Sequence, residues 1–501
     1  MSIISIEFII FIICSLVIYH IIPAKYKWII LLITSYIFYS FGGIKTIGYL
    51  IVTTISTYLA GRKLENLNQK IVSIKNNKSL ISKYTSWKKR IIFITCILNF
   101  GLLFSLKYLN LGLIIPLGIS FYIFQSIGYI IDIYRNKISA EKNIFKFALF
   151  VSFFPQMIQG PISRYNLLSP QLLSENKFDF KNIEEGLKLL LWGYFKKLLI
   201  ADRAAIAVNL IFNNYLNYKG SIILFSVILY CIQLYCDFSG GIDIIRGVSK
   251  LYGITLIENF KRPFFAKSLA DFWRRWHISL GSWMKDYVFY PLSLSKPFIK
   301  LGKFIRKHIK GKSGQIIPVS IVTFIVYFLI GIWHGASFKY IAFGFWNGTL
   351  ITIALLLEPT FIKIKNVLKI KNTSKIYNIF QVLRTSFLVL IGRYITRAGN
   401  FGTAIDMLKI TITNFNFKEL INGTILNLGL KLEDLVIIFI GILFILIIEF
   451  LEEKNIDLFK KLKSSPTIFQ FIITFSFIAI IFIFGIYRDD YISSEFIYKQ
   501  F

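Results

Sequence analysis

Long apolar runs alternate with short basic connectors along most of this chain. Charge-free stretches cover Trp28–Ile44, Tyr108–Ile131, Phe147–Ser163, Gly220–Cys236, Ser313–Phe338, Tyr340–Leu357 and Ser464–Tyr487. Each is long enough, or nearly so, to cross a hydrocarbon core of about 30 Å as a helix. The runs are continuous and lack strand-length alternation, which argues against a membrane barrel. The pattern predicts an all-α, polytopic membrane protein with about 11 to 13 transmembrane or re-entrant helices. The first apolar stretch does not read as a cleaved signal. Glu7 stands where a cationic start belongs, no small-residue cleavage site follows, and further spans come after it.

Composition agrees with this class. The chain has 501 residues, 55% of them hydrophobic, and a mean hydropathy of +0.63. Its net charge of +32 invites a nucleic-acid reading, but the placement of the charge opposes it. Residues 61–90 carry nine Lys/Arg against the single acid Glu65, residues 296–312 carry seven and no acid, and residues 363–375 carry five and no acid. Basic connectors of this kind stay cytoplasmic and lie against anionic membrane lipid. No aromatic-interleaved basic motif and no soluble domain supports binding of nucleic acid.

The same connectors orient the chain. Three helices, about 3–23, 27–44 and 46–60, precede the basic segment 61–90, so the N-terminus is expected outside the membrane. Lys460, Lys461 and Lys463 place the last connector inside. One span, about 467–487, then carries the C-terminal tail outside. The connector 399–433 is nearly balanced in charge and fits an outer loop. In the middle of the chain, Lys196, Lys197, Asp202 and Arg203 interrupt an apolar pattern. Charges there point to a polar cavity or an interface, and the topology of 147–262 stays open.

Little points to a metal or nucleotide. Cys14, Cys96, Cys231 and Cys236 fall in apolar stretches without metal-ligand spacing and read as small buried hydrophobes. Four histidines without a paired His/Cys/Asp cluster make a zinc site improbable. There is no glycine-rich phosphate loop and no detectable internal repeat.

Two histidines carry the candidate chemistry. His334 lies in the run FLIGIWHGASFKYIAFGFWNG, with Gly331 one turn before it and Gly335 directly after. Lipid penalises an ionisable group, so a histidine at that depth normally faces a cavity, a partner or a substrate, although small neighbours also serve helix packing. His277 lies in DFWRRWHISLGSWMKDYVFYPL, residues 271–292. Drawn as one helix, this segment sets Trp273, Trp276, Leu280, Trp283 and Met284 on an apolar stripe with His277 at its edge. Taken alone, that pattern equally suits an interfacial helix touching headgroups.

The ordered set of motifs resembles the membrane-bound O-acyltransferase family, in its bacterial alginate O-acetyltransferase branch. LGISFYIFQSIGYIIDIYR (117–135) is followed by FPQMIQGPISRY (154–165) and YCDFSGGIDIIRG (235–247). NFKRPFFAKSLADFWRRWHISLGSWMKDYVFYPL (259–292) and GIWHG (331–335) complete the series. One departure is Gly241-Ile242-Asp243, where an aromatic and a serine are expected ahead of the aspartate. The resemblance implies a ring of tilted helices around a thin centre, with a central funnel and an active-site histidine at its bottom, His334 by motif. His277 matches the second histidine-bearing motif. It further implies a membrane core over 1–350, additional membrane helices over 351–487 and an extracytoplasmic tail over 488–501.

Acyl transfer from a thioester to a hydroxyl needs a base for the hydroxyl proton and donors for the oxyanion. Apolar surroundings bias an imidazole towards its neutral form, which keeps the lone pair a base requires. His334 is therefore assigned as general base. His277 is left to orient it, contact the donor or stabilise negative charge, and Asp237 and Asp243 are candidates for orienting a histidine. Arg274, Arg275 and the segment 296–312 are candidates for contacting the phosphates of a cytoplasmic donor, expected to be acetyl-CoA, with headgroup contact the alternative. The tail ends in FIYKQF, similar to the hexapeptide that ends this branch. That likeness implies a relay in which Tyr498 receives the acyl group and passes it to an outer partner acetyltransferase. The expected function is O-acetylation of an extracytoplasmic polysaccharide at a bacterial plasma membrane. D-alanyl or other acyl transfer from a carrier protein is the alternative, and a transporter or flippase is the reading from another class. The inverted repeats common in transporters are not found.

Overall fold

A computed structural model describes residues 2–486, except 75–76, 110–111, 113, 372 and 457. Tyr498 and the rest of the tail lie outside the described residues. The described chain is predominantly helical. Its one β feature is an isolated antiparallel bridge between Phe260 and Trp276. Seven helices are long and apolar enough to cross a membrane: Lys78–Tyr108, Gly220–Leu251, Lys312–His334, Phe338–Leu356, Lys375–Arg397, Leu432–Glu453 and Thr467–Phe484. Three shorter apolar stretches, Ile6–Ile21, Ile119–Tyr134 and Ile144–Gln159, accompany them. The architecture is that of an all-α, multi-pass membrane protein. Fewer helices reach spanning length than the apolar runs suggest, because several runs break into short pieces. The run 147–163, for example, divides into Ile144–Ser152 and Phe154–Gln159.

Two of the three basic connectors are largely helical. Residues 61–90 are divided between two long helices, Ile44–Ser73 and Lys78–Tyr108. Lysine, arginine, glutamate and glutamine are good helix formers, so helix continues past the end of the apolar run. The segment 296–312 likewise contains a helix, Lys296–His308, with exposed Ile299 and Phe304 interleaved among its basic side chains.

The chain folds as two compact units. One comprises the chain up to Trp192 together with Gly241–Glu258, and the other comprises Gly193–Gly240 with the described chain from Asn259 onward. In the first, the Ile44–Ser73 and Ile119–Tyr134 helices meet where Gly61 admits the Tyr129 ring. A Cβ on Gly61 would stand only 3.0 Å from that ring. The Tyr129 hydroxyl accepts the Glu141 N–H at 2.8 Å.

The second unit contains a buried polar knot that accounts for the charges in 196–203. Residues Phe195–Ala201 form a π-helical segment. Lys197, fully buried, pairs with Asp202 at 2.8 Å and with Asp237 at 2.6 Å. Lys196 donates to the Ser239 hydroxyl at 3.1 Å, and Arg203 pairs with Asp434 at 3.0 Å. The Tyr235 hydroxyl donates to the carboxylate of Glu449, itself buried. Burial of charge is tolerated here because the cations and acids meet at hydrogen-bonding distance. Asp237 is thus engaged by a lysine, while Asp243, in the first unit, pairs with Arg246 at 3.1 Å.

Candidate active site

The histidine-bearing segment 271–292 is not one helix. It runs as Leu269–Arg275, then Trp276 in extended backbone and His277 in left-handed backbone at φ 50°, then Ile278–Met284. Backbone pairing causes the break. The Lys261 N–H donates to the Arg275 carbonyl at 2.9 Å, and the Ile278 N–H donates to the Asn259 carbonyl at 3.0 Å. These bonds draw 275–278 out of helix against the stretch 259–261. A left-handed histidine carries backbone strain, so the surrounding structure must hold it there.

His277 consequently lies inside the protein, 2% exposed, and not on an interfacial edge. Phe238 packs edge-on against its ring with centroids 5.0 Å apart, and Trp333 lies 6.2 Å away. Burial, and secondly the nearby His334, hold the His277 pKa below the ordinary histidine value. Asn259 fixes the ring. Its Oδ1 accepts the Ser279 N–H at 2.8 Å, which turns its amide nitrogen to 3.2 Å from His277 Nδ1. The Asn259 amide oxygen lies 3.4 Å from the same ring nitrogen, so this one side chain holds the His277 ring through Nδ1. Asn259 thus orients the His277 ring.

His334 is reached by a different route. The charge-free run extends to Phe338, but the helix stops at His334 and the next begins at Phe338. The imidazole stands at a helix terminus, half-exposed, and not midway along a span. The glycines around it serve close packing. A Cβ on Gly331 would approach the Tyr340 carbonyl to 2.5 Å and Gly344 Cα to 2.9 Å, so the two helices cross backbone to backbone. A Cβ on Gly335 would press on the Tyr340 ring at 3.0 Å. That ring lies 6.1 Å from His334 and nearly parallel to it.

His277 and His334, far apart in sequence, line one cavity of about 40 Å³. Trp273, Trp276, Tyr340 and Arg393 also contribute to its wall. Trp273 is held by a hydrogen bond from its indole N–H to Asn347 at 3.1 Å. The space suffices for water or a small reacting group, and it places two imidazoles at one centre. Arg274 and Arg275 stand outside this wall. Arg275 makes a bidentate pair with Glu453 at 3.0 and 3.1 Å. The Arg274 side chain is 73% exposed, 3.5 Å from Asp271.

Residues 136–394, just over half of the chain, match the family model of MBOAT, the membrane-bound O-acyltransferase family. The chain belongs to that family. The probable alginate O-acetylase of Pseudomonas syringae pv. tomato is 29% identical, over 88% of this chain and 80% of that protein. A peptidoglycan O-acetyltransferase of Helicobacter pylori is 30% identical, over 65% of this chain and 63% of its own length. A teichoic acid D-alanyltransferase of Bacillus subtilis is 29% identical, over 48% of this chain and 59% of its own length.

Two residues of the site in this membrane-bound O-acyltransferase were not singled out from the sequence: Asn259, which holds the His277 ring, and Arg393, which lines the cavity. Asn259 gave no signal, because its role exists only once 259–261 pairs with 275–278. Arg393 did give one: an arginine in the otherwise apolar FLVLIGRYI is costly in a membrane helix and marks a functional position.

Proposed function

We propose that this chain is a membrane O-acetyltransferase. It takes acetyl from a cytoplasmic thioester, acetyl-CoA, and delivers it for O-acetylation of an extracytoplasmic polysaccharide. The observation that carries this reading is the single cavity shared by His277 and His334. The half-exposed His334 is the general base that accepts the proton of the attacking hydroxyl. His277, held by Asn259 and kept neutral by burial, offers its other ring nitrogen to the same centre. The relatives named for O-acetylation match more of this chain than the one named for D-alanyl transfer does, which favours acetyl over D-alanyl.

The donor would enter from the basic, cytoplasmic side, where exposed Arg274 and the Lys296–His308 helix meet its phosphates. Both chain termini would then be extracytoplasmic. Tyr498 would relay the acetyl group to an outer partner acetyltransferase.

Membrane vesicles containing the full chain should incorporate label from acetyl-CoA carrying labelled acetyl, and not from carrier-bound D-alanine. Label entering only from the D-alanyl carrier would overturn the acetyl assignment. In the same vesicles Tyr498→Phe removes one hydroxyl and should abolish onward transfer. Unchanged transfer would eliminate the relay.

A further inference from the structure

The cavity has a third polar wall that no motif singled out. Arg393, on the Lys375–Arg397 helix, is 4% exposed and lines the same cavity as the two histidines. Its guanidinium lies over the Trp276 ring at 4.8 Å and near the Phe272 ring at 5.9 Å. These ring faces hold the group in place by cation–π attraction. Its Nε and Nη2 atoms are buried without an oxygen or nitrogen partner, although the buried Cys231 thiol interacts with the guanidinium. Among the described residues, no carboxylate pairs with it.

A buried cation with two unsatisfied donors is expensive in the resting protein. The other buried cations of this unit are spent on acids or hydroxyls, as Lys197 is on Asp202 and Asp237. Arg393 therefore differs in kind from them. Nε–H and Nη2–H project from the same edge of the guanidinium plane, a fork suited to an anionic oxygen. The phosphates of a coenzyme A donor are separated from its thioester by a long flexible arm, so they cannot occupy the space between the imidazoles while the thioester reacts there. The anion that forms at that point is the former carbonyl oxygen.

We infer that Arg393 is the oxyanion-stabilising residue of this acyl transfer, receiving the thioester carbonyl oxygen on its Nε/Nη2 edge. This rests on the acyl-transfer reading above. The acceptor oxygen bonds to the carbonyl carbon as its proton passes to His334, and the carbonyl π pair moves onto the oxygen facing Arg393. The tetrahedral intermediate then collapses. Its carbon–sulfur bond breaks, the carbonyl re-forms, and the departing thiolate takes the proton from His334. Charge on the oxygen exists only between these steps, so the interaction belongs to the transition state and not to donor binding.

The test uses vesicles carrying the full chain and acetyl-CoA with labelled acetyl. Arg393→Met keeps the stem and removes both donors. It should lower kcat by roughly 10²- to 10³-fold, the loss typical of a deleted oxyanion donor, with the KM for acetyl-CoA little changed. Arg393→Lys, which retains the charge but not the fork, should fall between the two. If Arg393→Met fails to fold, the lysine variant decides the matter. A fall of kcat by tenfold or more at constant KM supports the inference, and parental kcat overturns it. Folded Arg393→Met with kcat within threefold of the parent also overturns it, as does a loss confined to KM. A parent chain that moves no acetyl overturns the proposed function itself, and with it the inference.

Discussion

Replacing His334 by alanine is expected to lower acetyl transfer by roughly 10²- to 10⁴-fold, the contribution of a positioned general base, without loss of folded protein. The variant removes a half-exposed ring at the end of the Lys312–His334 helix. The crossing that fixes this helix depends on Gly331 and Gly344, so it remains intact. Transfer of label from acetyl-CoA in vesicles, normalised to folded protein by size-exclusion chromatography, measures the effect. Parental transfer would remove this ring from the reaction.

The second large effect concerns stability. Lys197→Met should destabilise the protein by about 3–5 kcal/mol, the consequence of removing one partner from a buried ion cluster. Lys197 is fully buried, with Asp202 and Asp237 both at hydrogen-bonding distance. Methionine fills much of the space but leaves two buried carboxylates without their cation. Neutralising the acids at the same time, with Asp202→Asn and Asp237→Asn, should recover most of the loss, because the desolvated charges are then gone. Thermal unfolding in detergent should show a markedly lowered midpoint for the single variant and a largely restored one for the triple variant. An unchanged midpoint in Lys197→Met would mean that the cluster contributes nothing to holding the unit together.

Most of the membrane architecture was legible in the sequence because lipid demands long uncharged helices, and those runs are visible without a fold. The two histidines were legible for a related reason. Each stands out against its apolar setting, and each lies in the region that matches the family model. What the sequence could not reveal depends on contacts between distant residues. Read by periodicity, 271–292 forms a helix, but the backbone bonds from Lys261 and Ile278 break it at Trp276–His277. That break moves His277 from an interfacial edge into the interior. It also brings Asn259 beside the ring, a contact that the candidates Asp237 and Asp243 did not anticipate. Asp237 is unsuited to that role because Lys197 engages it. Gly331 and Gly335 show the same limit. The sequence places them beside His334 and allows a packing role, but only the fold shows what they admit: the Tyr340 carbonyl, Gly344 and the Tyr340 ring.

Arg275 illustrates how charge is redistributed by packing. From sequence it is as available to a donor phosphate as Arg274. In the fold Glu453 takes it in a bidentate grip, and these hydrogen bonds and charges raise its pKa. Only Arg274 remains exposed among this pair.

The proposed acyl transfer requires His277 and His334 to act at one reacting centre. Measuring kcat for His334→Ala, His277→Ala and the double variant in the same vesicles tests this most directly. Residues that work as a unit are strongly non-additive. The double variant should therefore be scarcely slower than His334→Ala alone. Losses that simply multiply would mean that the two imidazoles act independently, and would contradict a shared centre.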